Sequence, residues 1–134
     1  MKLQPDRADG VNVITAYEPG RVRVNAQLYH SSLLVPWQGE VLDWRCKSFS
    51  ELDAADFDQV LGLSPELVIF GSGERLRFPA PALVKKLIAK RIGIESMDTA
   101  AACRTYNVLA AEGRVVVAAL IIDATAGGSP PDAV

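Results

Sequence analysis

Between residues 11 and 45 apolar and polar positions alternate in short runs, and from Ser50 the apolar spacing lengthens to a helical period. Val11, Val13, Thr15 and Tyr17 alternate with Asn12, Ile14 and Ala16, which favours a strand over residues 11–17. Glu18-Pro19-Gly20-Arg21 supplies the backbone angles of a turn, and Arg21-Val22-Arg23-Val24 returns as the second arm of a hairpin. Asn25 suits a left-handed turn before a third strand over residues 28–35. A fourth, 41–45, follows the Pro36-Trp37-Gln38-Gly39 loop. These four segments predict an antiparallel meander.

In the second half Phe57, Val60 and Leu61 fall at i, i+3 and i+4, so a helix lays one stripe on a sheet. Asp53 is its expected N-cap, Asp56 sits near its positive end, and Ser64-Pro65 stops it. Residues 66–70 are a short apolar strand of the kind covered on both faces. A second helix is expected over 81–92, with Leu83, Val84, Leu87 and Ile88 inward and Gly93 as its C-terminal cap. A buried strand follows at 94–97. Asp98 then caps a helix over 99–111, Gly113 ends it, and 115–122 form the last strand. This order predicts a layered αβ unit with right-handed crossovers behind the meander. The domain is expected to occupy 10–123, with a flexible start at 1–9 and a disordered Gly/Pro-rich tail at 124–134.

At 134 residues the chain can bury one core without disulfide or metal staples. Its net charge of −2 argues against general electrostatic affinity for nucleic acid. Cys46 and Cys103 are too few for a secreted disulfide framework, so two reduced, buried thiols are expected. No run approaches the roughly 18 to 20 apolar residues that span a bilayer. The opening residues show neither an apolar signal core nor an Arg-rich, acid-poor transit pattern. The expected location is cytoplasmic.

Two blocks carry a family resemblance. Glu66-Leu67-Val68-Ile69-Phe70-Gly71-Ser72-Gly73 is an apolar strand ending in Gly-x-Gly. Further on stand Asp98-Thr99, Ala102, Thr105-Tyr106-Asn107, Leu109, Glu112-Gly113-Arg114 and Ala118-Ala119-Leu120. With these motifs residues 10–122 resemble the Mth938-like domain family, which includes mitochondrial complex I assembly factor three and many bacterial proteins of undefined role. The resemblance implies an α/β, three-layer fold: a mixed central sheet with helices, plus an N-terminal antiparallel β layer. It also implies helping to mature respiratory or other membrane-associated complexes through surfaces, with no cofactor.

Gly71-Ser72-Gly73 falls where strand passes to loop. Glycines there let backbone N–H groups converge on an anion, at the strand ends where open α/β sheets bind ligands. No Gly-Lys-Ser/Thr follows for a P-loop, and no third glycine completes a dinucleotide fingerprint. A turn needing positive φ explains the same residues. Arg75 and Arg77 are the cations nearest this loop, and Asn107, poor material for a helix interior, is expected to bond a neighbouring loop or a ligand. Tyr106 shares a packing stripe with Ala102 and Leu109, so its ring is read as core and its hydroxyl as satisfied.

From Glu74 to Arg91 six positive charges face one negative. Lys85, Lys86 and Lys90 lie opposite the expected inward stripe, as either a solvated face or a surface for an acidic partner or anionic lipid. Trp37 beside Pro36 either anchors a partner or second copy, or folds over the meander. His30 is the sole histidine, which excludes multi-histidine metal sites, and the acids at 51–58 have no second cluster to complete a cage. Cys103 among alanines reads as a small buried residue. No residue is catalytic by itself.

Two readings follow. The first is a non-catalytic interaction protein that meets an unidentified protein partner, allowing a weak homodimer and peripheral membrane contact, with no nucleic acid. The second is a binder or enzyme for a small anionic molecule at Gly71-Ser72-Gly73, using Arg75, Arg77 or Asn107.

Overall fold

The structure, a computed structural model, describes residues 10–123. The expected flexible start and disordered tail lie outside the described residues. Strand β1 (Ile14–Glu18) pairs antiparallel with β2 (Arg21–Val24) across Gly20, which takes a φ of 87°. Asn25 turns the chain again at φ 55°, and its Oδ1 accepts the Val13 N–H at 3.0 Å. Strand β3 (Gln27–Tyr29) completes a three-stranded sheet. The first strand begins at Ile14 rather than Val11, because Val11 and Asn12 pair with the Trp37-Gln38 loop.

The single strand expected over 28–35 is two. His30-Ser31-Ser32 breaks the run, and β4 (Leu33–Val35) enters a second sheet. Burial explains the split: β3 is exposed or half-buried, whereas Leu33, Leu34 and Val35 are covered on both sides. The meander is therefore three-stranded, and the expected strand at 41–45 shrinks to β5 (Leu42–Asp43).

The larger sheet runs β5-β4-β8-β6-β7, with β6 (Leu67–Gly71), β7 (Gly93–Met97) and β8 (Val116–Leu120). β6 is parallel to both β7 and β8, while β4 is antiparallel to β8 and β5, so the sheet is mixed. Alternation assigns its two faces. Leu33, Val35, Ile69, Val116, Ala118 and Leu120 pack on helix α3 (Thr99–Ala111) and on Ile14, Val22 and Val24 of the small sheet. Leu34, Val68, Phe70, Val117 and Ala119 pack on α1 (Ala54–Leu61) and α2 (Lys85–Ala89). The crossovers β6-to-β7 and β7-to-β8 travel in opposite directions across the sheet. A common right hand therefore requires α2 and α3 on opposite faces, where they lie.

The helix ends follow local chemistry. Asp53 and Asp56 form a capping box on α1, and Asp98 accepts the Ala101 N–H at 2.9 Å to start α3. Asp56 is buried because its carboxylate also takes a 2.9 Å bond from Arg45. The second helix departs from expectation. A 3₁₀ turn (Pro81–Leu83) replaces its first turn and changes the phase, so Val84 and Leu87 point inward but Ile88 is 59% exposed. Gly93 is no cap: Arg91 adopts the left-handed φ of 61°, and Gly93 opens β7, where a Cβ would come within 3.0 Å of Leu67 Cδ1. β7 borders only β6 in the sheet and is exposed or half-buried, rather than fully covered.

Candidate functional site

β6 and β7 are adjacent parallel strands whose following helices leave to opposite faces. Their carboxyl ends thus flank the switch point where open α/β sheets bind ligands. Here the chain laces that crevice to itself. The Ser72 N–H donates to Met97 O at 2.9 Å and the Thr99 N–H to Gly73 O at 2.8 Å. The Gly73 N–H, at a φ of 110°, donates to Thr99 Oγ1 at 2.9 Å, and the Thr99 hydroxyl donates onward to Ile121 O at 3.0 Å. With both loop amides engaged internally, they cannot also converge on an anion.

Gly71 permits this closure. A Cβ on it would lie 3.0 Å from Thr99 Cα and 3.1 Å from Ala102 Cβ, so glycine lets α3 seat on the sheet. Gly71→Ala is expected to cost about 1–3 kcal/mol in overpacking, read as a lower urea midpoint with an unchanged slope.

Ser72 is fully buried and organises the following loop. Its Oγ accepts the Arg77 N–H at 3.0 Å and lies 2.8 Å from Arg75 O and 3.1 Å from Met97 O, the two acceptors available to its one proton. Arg77 is turned back so that its guanidinium stacks 4.6 Å from the Phe49 ring centroid, with Nε buried and unpartnered. Arg75 stands exposed, beside Leu76 and Phe78. Asn107 engages Ile14 with both ends of its amide, accepting the backbone N–H at 2.9 Å and donating to the carbonyl at 2.7 Å. It joins α3 to the small sheet, the bond to a neighbouring segment that its helix-interior position suggested.

Trp37 is half-buried, and its Nε1–H donates to Ala110 O at 3.0 Å, within the last turn of α3. Lys85, Lys86 and Lys90 are exposed, with Lys86 Nζ 3.4 Å from Asp58 of α1. The roles of Ser72 and Thr99 escape sequence reasoning. The one available signal, a Thr directly after the capping Asp98, is common at helix starts and names no distant partner.

Burial pushes the Tyr17 hydroxyl up to about 12, helped by Glu74, Cys103 and Asp98. Cys103 and Cys46 are also raised to about 12, mainly by burial. In the unfolded chain these thiols ionise near 9.0, so above that pH the unfolded state releases protons that the folded state keeps. Their stabilising contribution is full below pH 9 and is lost as pH rises through 12. A melting temperature that falls steadily from pH 9 upward is expected, and Cys103→Ala should flatten part of that fall.

Three layers, a mixed sheet and a separate antiparallel β layer define an Mth938-like α/β domain, the description carried by a Bordetella pertussis solution structure. That structure matches at TM-score 0.79 and 33% identity, over 92% of this chain and 93% of its own. A Bordetella parapertussis crystal structure matches at TM-score 0.81 and 38% identity, over 87% of this chain and 100% of its own. Residues 14–121 match the family described as protein of unknown function DUF498/DUF598, and the chain belongs to that family. Among curated relatives, NADH dehydrogenase [ubiquinone] 1 alpha subcomplex assembly factor 3 of Xenopus tropicalis is 28% identical over 90% of this chain. The chain spans 66% of the length of that protein and 45% of its Bos taurus counterpart. Among the described residues no helix is long and apolar enough to cross a membrane.

Proposed function

We propose that this chain is a non-catalytic assembly factor that binds protein subunits of respiratory or other membrane-associated complexes through its surface. The observation that carries the reading is its similarity to complex I assembly factor 3 across 90% of its length. The geometry supports the same direction. The switch-point crevice, where a ligand would sit in this class of sheet, is filled by Ser72, Thr99 and the loop's own hydrogen bonds. Asn107 has both ends of its amide on Ile14, so it is not free to hold an anion beside that loop.

Affinity capture of the tagged chain from its own cells, after mild crosslinking, tests the reading. Recovery of respiratory-complex subunits in reproducible proportion is expected. Recovery of the tagged chain alone, together with a melting temperature raised by an anionic metabolite in wild type but not in Arg75→Ala, would replace it with the small-anion reading.

A further inference from the structure

The segment from Gly73 to Arg91 is unlike the rest of the surface. It holds six of the chain's fourteen Lys and Arg against one acid, Glu74, in a protein of net charge −2. It also holds three of the six exposed large hydrophobic side chains among the described residues: Leu76 at 50%, Phe78 at 70% and Ile88 at 59%. Single exposed apolar side chains are ordinary, but three within one short cationic segment point to an interaction surface. The loop that carries two of them is held in shape. Ser72 Oγ pins the Arg77 N–H, and Arg77 itself is turned onto Phe49, so the exposed Leu76 and Phe78 flank an anchored residue. Three residues beyond Phe78 the 3₁₀ turn leads into α2 and packs against it, and in α2 Lys85 and Ile88 share a face at i and i+3.

We propose that the loop of residues 75–78 and the outer face of α2 dock on an anionic phospholipid bilayer. Leu76, Phe78 and Ile88 enter the acyl boundary, and Arg75, Lys85, Lys90 and Arg91 meet the headgroups. Exposed apolar side chains interspersed with exposed cations suit an interface that yields around them. A protein partner is the lesser fit, because lysine is depleted at protein interfaces and three of the five exposed cations here are lysines. This goes beyond the assembly-factor reading and does not depend on it.

Vesicle sedimentation with the full chain tests the proposal, using phosphatidylcholine vesicles with and without phosphatidylglycerol. Binding to the anionic vesicles alone is expected, weakening as salt is raised. The double variant Leu76→Ser, Phe78→Ser should lower the bound affinity by about tenfold or more, and Lys85→Glu, Lys90→Glu should remove binding. Both pairs replace exposed side chains, and circular dichroism confirms folding. A polarity-sensitive dye on Phe78→Cys should shift to the blue on anionic vesicles, the two native thiols being buried. No binding to anionic vesicles at low salt overturns the proposal. So does binding that survives Leu76→Ser, Phe78→Ser with no dye shift, since that reports charge alone. A chain that captures respiratory subunits yet ignores vesicles sinks this inference and leaves the assembly reading intact, and the converse result does the opposite.

Discussion

Tyr106→Ala is expected to cost about 3–5 kcal/mol of stability, the loss typical of removing a large buried aromatic ring. Tyr106 is fully buried and stands among the core residues that α3 shares with both sheets. Its hydroxyl lies 2.9 Å from Asn12 O and 3.1 Å from Pro36 O, so the one side chain ties the helix to the segments leading into β1 and out of β4. A domain of this size holds roughly 5–15 kcal/mol in total, so the alanine variant should lose a large share of its folded population margin. Tyr106→Phe separates the two contributions. It keeps the ring and should cost about 1–2 kcal/mol for the lost hydrogen bond. Chemical denaturation of both variants gives the ratio, and an alanine loss no larger than the phenylalanine loss would show that the ring is not what joins the layers.

Asn107→Leu is the second large effect, expected at about 2–6 kcal/mol because two backbone groups of Ile14 lose their partner at about 1–3 kcal/mol each. Ile14 is 4% exposed, so water cannot readily replace the amide. Hydrogen exchange is the sharper readout: the Ile14 amide should lose protection while Val116 to Leu120, in the middle of the larger sheet, keeps it. A loss of stability in the protein with nothing bound identifies Asn107 as a structural clip. An unchanged midpoint would instead free it for a ligand.

Gly71 and Tyr17 both mark the close packing around α3. Gly71 reports how closely α3 sits over the end of β6, and the raised Tyr17 hydroxyl reports chiefly its burial, with Glu74, Cys103 and Asp98 adding to it. Both describe a seam that the protein uses to hold itself together. In an open α/β sheet the same place is where a cofactor phosphate would rest.

Much of this protein follows from interactions that span only a few residues. Asp53 and Asp98 cap the helices that follow them, Gly20, Asn25 and Gly113 turn the chain through positive φ, and alternation along β8 sorts Val116, Ala118 and Leu120 from Val117 and Ala119. Such features depend on torsional sterics and on neighbouring backbone groups, so a reader of the sequence meets cause and effect together. Other features join residues far apart. The chain divides 28–35 between two sheets because Leu33 to Val35 find β8 some 85 positions later. Asn107 serves Ile14 across 93 positions, and Gly73 meets Thr99 across 26. Ile88 faces solvent because a 3₁₀ turn shifts the helix phase that simple periodicity extends unbroken. In each case the outcome rests on which distant surface supplies burial or a hydrogen-bond partner, and local preference does not name that surface.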